Sequence, residues 1–154
     1  MSHAADGVDT VVVRPRKTII VAWVCAVVVF ALFVVVAVVL RTAETGVFFR
    51  LADQIAMAAI GALIAGGVLL LARPRVRADA EGIEVRNVLV TRTLPWDVVE
   101  RVTFPDGASW ARLELIGDDY LPVLAIQAVD GQRAVEGIRR VRALHAAAAH
   151  PRRP

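Results

Sequence analysis

Two apolar runs near the N-terminus, Thr18–Leu40 and Leu51–Ala72, constrain this chain more than any other feature. A helix rises about 1.5 Å per residue and the bilayer hydrocarbon core is about 30 Å thick, so roughly 20 apolar residues suffice to cross it. The first run carries no charged residue and exceeds that length. It is rich in valine, a poor helix former in water, but lipid leaves the backbone no other way to satisfy its hydrogen bonds. A cleaved leader is the rival reading, because Arg14, Arg16 and Lys17 form a positive flank. The apolar stretch is too long for that, and Arg41 spoils the small-residue pattern that a cleavage before Glu44 requires. The run reads as an uncleaved anchor.

The second run is cleanly apolar from Ile55 to Ala72, with Arg50, Asp53 and Gln54 at its mouth. Those groups lie within about a turn and a half of the end, where they reach the headgroups; a functional intramembrane pair of Arg50 and Asp53 is the lesser alternative. Small residues recur along this helix, with Ala58, Ala62 and Gly66 on one stripe and Gly61 and Ala65 beside it. Such stripes let helices approach closely, so the two spans are expected to pack as a hairpin. The same stripe offers a homodimer contact as the alternative.

Basic residues set the topology. Arg14, Arg16 and Lys17 precede the first span and Arg73, Arg75 and Arg77 follow the second, while the short connection holds only Arg41 and Arg50 with Glu44 between them. The positive-inside rule then predicts a multi-pass protein of the plasma (inner) membrane with both termini cytoplasmic. The predicted organisation is a cytoplasmic N-terminal tail (1–17), a first span (18–40) and a short external loop (41–50). A second span (51–72), a cytoplasmic domain (73–148) and a disordered tail (149–154) follow. The first dozen residues and His150–Pro154 read as disordered.

The segment after the spans is long enough for one small core. Its arginines and carboxylates nearly balance, and the net charge of +3 for the whole chain is not a nucleic-acid footprint. No basic stripe interleaved with aromatics is present, so no nucleic-acid partner is expected. The single Cys25 falls inside the first span, which implies neither a disulfide nor thiol chemistry.

Short alternating segments dominate this region. Arg75–Ala78 leads through the turn-like Asp79-Ala-Glu-Gly82 into Ile83–Asn87, where Ile83 and Val85 alternate with Glu84 and Arg86. A return strand covers Val90–Trp96, ending near Pro95. Asp97 is placed as the cap of a short helical turn over Asp97–Glu100. Val102 and Phe104 resume the alternation up to the turn Pro105-Asp-Gly107, and Leu113 and Leu115 continue it. A hairpin at Gly117-Asp-Asp119 leads to Leu121–Ile126. A terminal helix follows, with Asp130 as predicted N-cap and Val135, Ile138, Val141 and Leu144 as its apolar face. About six strands closed by one helix suggest a small barrel or sandwich.

The order of two spans, then Asp79-Ala-Glu-Gly-Ile-Glu-Val-Arg-Asn87, Leu94-Pro-Trp-Asp97, Gly107-Ala-Ser-Trp-Ala-Arg112 and Leu121-Pro-Val123, resembles a family of actinobacterial membrane proteins. That family carries a bacterial pleckstrin-homology (PH) domain of the type found in low molecular weight protein antigen 6. The resemblance covers roughly residues 70 to 145. It implies two transmembrane helices followed by a mainly-β PH-like barrel capped by a C-terminal helix, with no catalytic residues to carry over. Phosphoinositide-binding PH domains place several Lys and Arg in the first hairpin. The acidic Asp79-Ala-Glu-Gly82 here would repel a polyphosphate headgroup.

Other motifs have plain readings. A buried aromatic beside a cap explains Trp96 and Asp97. Gly107-Ala-Ser-Trp-Ala111 resembles a nucleophile elbow but lacks its final Gly, and a strand pattern follows where the elbow requires a helix. His145 and His150 stand five apart, a spacing that does not share one helix face, so no metal site is expected. Asp118 and Asp119 read as a solvated turn. On the terminal helix, Arg139, Arg140 and Arg142, with Arg133, Arg152 and Arg153, are candidate contacts to the anionic inner leaflet. Solvated helix charge is the competing explanation. The resulting expectation is a membrane-anchored, non-catalytic module without a cofactor that binds a protein partner at the inner face of the membrane. Binding of anionic lipid headgroups is the alternative.

Overall fold

The computed structural model describes residues 10–42 and 50–149. The remaining positions include most of the predicted connecting loop, Glu44, His3, His150 and the predicted tail from 150 onward, which therefore lie outside the described residues. The chain divides into two units, one formed by Lys17–Arg73 and the other by the residues before and after it.

The first of these units is a pair of helices. Helix α1 spans Arg16–Thr42, and α2 spans Leu51–Leu69 with a 3₁₀ turn at Leu70–Ala72 that prolongs it. Both are long and apolar enough to cross a membrane. Ile20, Val24, Val27, Leu32, Ile55 and Leu63 stand exposed around them, as on helices that meet lipid on most sides. Gly61 and Ala65 of the predicted stripe are buried. A Cβ at Gly61 would lie 2.6 Å from Cβ of Phe33 on α1, so the missing side chain is what lets the helices approach. Ala58 is half-buried, whereas Ala62 and Gly66 face outward. At the mouth of α2 the Arg50 backbone N–H donates to Asp53 Oδ2 (2.9 Å), and Arg41 Nη1 donates to Gln54 Oε1 (3.0 Å). Asp53 thus caps a helix, which accounts for it without an intramembrane ion pair.

The other unit begins ahead of α1. Val11–Val13 forms strand β1, which pairs antiparallel with β2 (Arg75–Ala78) in the register Val11↔Ala78 and Val13↔Val76. This corrects the expectation of a wholly disordered N-terminal dozen. Three consecutive β-branched residues followed by the buried Pro15 favour extended backbone, and β2 supplies an edge for them. β2 pairs with β3 (Gly82–Arg86), which pairs with β4 (Thr91–Pro95), giving the sheet order β1-β2-β3-β4. A second sheet, β5-β6-β7, comprises Val99–Thr103, Trp110–Leu115 and Asp119–Gln127. No hydrogen-bonded strand pair joins the two sheets among the described residues, so the domain is an open two-sheet structure and not the closed barrel expected.

The core follows from alternation. Val76 and Ala78, Ile83 and Val85, and Ala111 and Leu113 point inward from their strands, with Val123, Ile126, Val102 and Val99 from the second sheet. Trp96 is buried too, and its Nε1 donates to the Asp79 carbonyl at 2.8 Å. Asp79 also shapes the β2–β3 turn, where its Oδ1 accepts from the N–H groups of Glu81 (3.0 Å) and Gly82 (3.1 Å). Any Cβ at Gly82 would run into the Leu94 carbonyl of β4, so this position must stay bare. Asn87 ties the sheets together: its Nδ2 donates to the Pro122 carbonyl (2.8 Å) and its Oδ1 accepts from Leu124 N–H (3.2 Å). One side-chain amide thereby pairs with the free side of β7 as a neighbouring strand would.

Helix α3 spans Gln132–Ala149 and covers the second sheet. It starts at Gly131, whose carbonyl accepts from Ala134 and Val135, and Asp130 lies one residue earlier in a 3₁₀ turn. The predicted cap is therefore displaced by one residue. Its buried face is Ala134, Gly137, Ile138 and Val141, with Leu144 packed partly buried against the core; of the predicted stripe only Val135, 40% exposed, turns outward. Small residues at 134 and 137 let the helix sit close, which widens the inward face toward Ala134 and away from Val135. Asp97 likewise lies inside the 3₁₀ turn Trp96–Val98, whose cap position is Pro95.

Candidate functional site

Three surfaces of the two-sheet domain carry features that packing alone does not explain. The first is the outer side of β4. Thr91, Arg92, Thr93 and Pro95 are exposed, and no described strand pairs with this edge. Beside its start lies a groove of about 450 Å³ between the β3–β4 turn and β7, lined by Leu89, Val90, Arg92, Tyr120 and Pro122 among others. Leu89 is 82% exposed and Tyr120 58%, with the Arg112 guanidinium 5.2 Å from the Tyr120 ring centroid. An open strand edge flanked by exposed apolar side chains fits an extended peptide.

The second surface is a basic groove of about 390 Å³ between β1 and α3. Arg14 and Arg16 line it from the β1 side, and Arg133, Glu136, Gly137 and Arg140 from the helix. Positions 133, 136, 137 and 140 fall on one helix face, and bare Gly137 lets Val13 reach the helix. The third surface is a cleft of about 480 Å³ where Phe104, Val135, Ile138, Arg139 and Arg142 meet.

The three arginines predicted on α3 therefore do different things. Arg142 Nε donates to the Val102 carbonyl (2.8 Å), which secures the helix to β5. Arg139 borders the third cleft, and only Arg140 joins the basic groove. The groove was hidden in the sequence because Arg14 and Arg16 stand beside a span and read there as topology signals. The valine triplet before them was the available sign that this segment belongs to a sheet.

The remaining candidates have structural places. His145 Nε2 lies 2.8 Å from the Val99 carbonyl, and its ring sits 5.5 Å from that of Trp96, so it pins the end of α3 to the core. With the Val99 oxygen as acceptor, that nitrogen carries the proton. Ser109 immediately precedes strand β6, and its carbonyl accepts from Ala128 N–H. That is a strand entry, not the strand-to-helix turn of a nucleophile elbow. Asp118 adopts left-handed backbone (φ 61°) in the β6–β7 turn, and the Asp119 carboxylate accepts from Tyr120 N–H (2.8 Å). Among the described residues, no group of three or more His, Cys, Asp or Glu is gathered as a metal site would require.

Comparison with known proteins agrees with this architecture. The bacterial PH domain family matches residues 73–144. Uncharacterized proteins of Mycobacterium tuberculosis and Mycobacterium bovis are 46% identical over 144 residues, covering 94% of this chain and 93% of theirs. No solved structure matches the chain. The similarity to the mycobacterial proteins takes in the helical pair and β1 as well as the domain, and the chain belongs to the bacterial PH-domain family of actinobacterial proteins.

Proposed function

We propose that this protein is a two-span membrane anchor that holds a non-catalytic PH-like domain at the inner face of the plasma membrane, where the domain binds a partner protein. The observation that carries the partner reading is the open outer edge of β4, with exposed Leu89, Val90 and Tyr120 beside it. An extended partner segment adding to β4 would gain main-chain hydrogen bonds from the edge and side-chain pockets from the groove. Membrane placement is supported by the two apolar helices and by the β1–β2 ladder. Residues ahead of α1 and residues after α2 belong to one sheet, so a helical pair that crosses the bilayer must return to its starting side. The basic flanks then favour the cytoplasmic side.

Site-specific photocrosslinking in cells tests the partner reading. A photoreactive side chain at Thr93 on β4 is expected to give one discrete product that the same group at Val129 does not give. Equal products at both positions, or none at either, would remove β4 as the docking edge.

A further inference from the structure

We infer that the groove between β1 and α3 is a binding site for the phosphate of an anionic phospholipid headgroup. This rests on the reading of α1 as a membrane span.

Four guanidinium groups, from Arg14, Arg16, Arg133 and Arg140, border this groove against the single carboxylate of Glu136. Each of the four residues is exposed, and none of their side chains is engaged in an ion pair or hydrogen bond among the described residues. Of the domain's other arginines, Arg75 pairs with Glu84 at 3.1 Å, Arg101 with Glu114 at 4.0 Å and Arg142 with a backbone carbonyl, whereas Arg77, Arg86, Arg92 and Arg139 stand without an ion pair among the described residues. What sets the groove apart is that four such arginines line one concavity, whereas the clefts at β4 and at Phe104 are lined by one and two. Guanidinium is the planar, permanently charged group that pairs bidentately with phosphate oxygens. The cavity exists because β1 is present as a strand and because residue 137 is glycine, packed beneath Val13.

The source of the phosphate follows from the chain itself. Arg16 is the first residue of α1, and the uncharged apolar run begins two residues later at Thr18. A guanidinium in that position sits at the depth of lipid phosphates when the helix spans. The β2–β3 turn, whose acidic Asp79 and Glu81 disfavour a phosphate there, does not line this groove.

The test uses the full chain reconstituted in nanodiscs of phosphatidylcholine with and without phosphatidylglycerol, then native mass spectrometry of the lipid retained on release. Wild type is expected to retain phosphatidylglycerol selectively, and the double variant Arg133→Gln/Arg140→Gln to retain it about tenfold less. Arg139→Gln, outside the groove, should behave as wild type, and Glu136→Gln should retain more. Retention that is equal in wild type and the double variant, or unselective in wild type, overturns the proposal. The gain with Glu136→Gln keeps the test decisive if the double variant folds poorly. Competition by inorganic phosphate as effective as that by phosphatidylglycerol would show a soluble anion site and overturn the lipid assignment. Carbonate extraction of native membranes tests the underlying span reading separately: a chain released by carbonate refutes the span, whatever the groove does.

Discussion

Asn87 shows how much one side chain contributes to this domain. Its amide donates to the Pro122 carbonyl and accepts from Leu124 N–H, standing in for a strand at an edge that no described strand covers. Replacing it with Ala removes both bonds and leaves two partly buried main-chain groups unsatisfied. A loss of about 1–3 kcal/mol is expected, measured as a lowered unfolding midpoint of the purified full chain in detergent by tryptophan fluorescence. An unchanged midpoint would mean that water replaces the amide without penalty. Nothing in the sequence distinguishes this Asn from an ordinary turn residue. Its role depends on Pro122 and Leu124 arriving from another sheet, and such pairing has no local signature.

At the scale of elements, β1 is the part that local reasoning missed, and the reason is physical. Three valines are too few to declare a strand alone, and β1 becomes one because β2 offers an unpaired edge and α3 a face for Val13. β2, β3 and β6 were legible because their residues alternate between core and solvent over several positions. The helical pair was legible from length and composition alone. The inward face of α3 was harder, since Ala134 and Gly137 are buried for their smallness and carry little hydrophobic signal. The basic groove combines residues from both ends of the domain's sequence, so no window along the chain contains it. β1 itself makes a directional prediction. Val13 is half-buried against Gly137 whereas Val12 is 54% exposed. Val13→Asp is expected to destabilise the domain by about 1–3 kcal/mol, and Val12→Asp by less than about 0.5. Thermal unfolding of the two variants in detergent checks the contrast, and equal effects would show that β1 is not docked through Val13.

For the whole molecule, the strand pairing ties topology to fold. In the two-span reading, a cysteine at Thr10 and one at Asp106, each in a Cys25→Ala background, are expected to react with a membrane-impermeant thiol reagent only from the cytoplasmic side. Labelling of the two from opposite sides would be incompatible with the β1–β2 ladder and would refute it. The same ladder has a consequence for biogenesis. β1 leaves the ribosome before either apolar helix, but its partner β2 is made only after both. The sheet therefore cannot be completed until the intervening helices have been placed, and closing so long a loop is slow. If only one helix inserts, the domain emerges on the side opposite its own edge strand and lacks the wall that shapes the basic groove. In the two-span reading, correct insertion is thereby a condition of complete folding, and a misinserted chain is left with an uncovered β2 edge open to quality-control proteases.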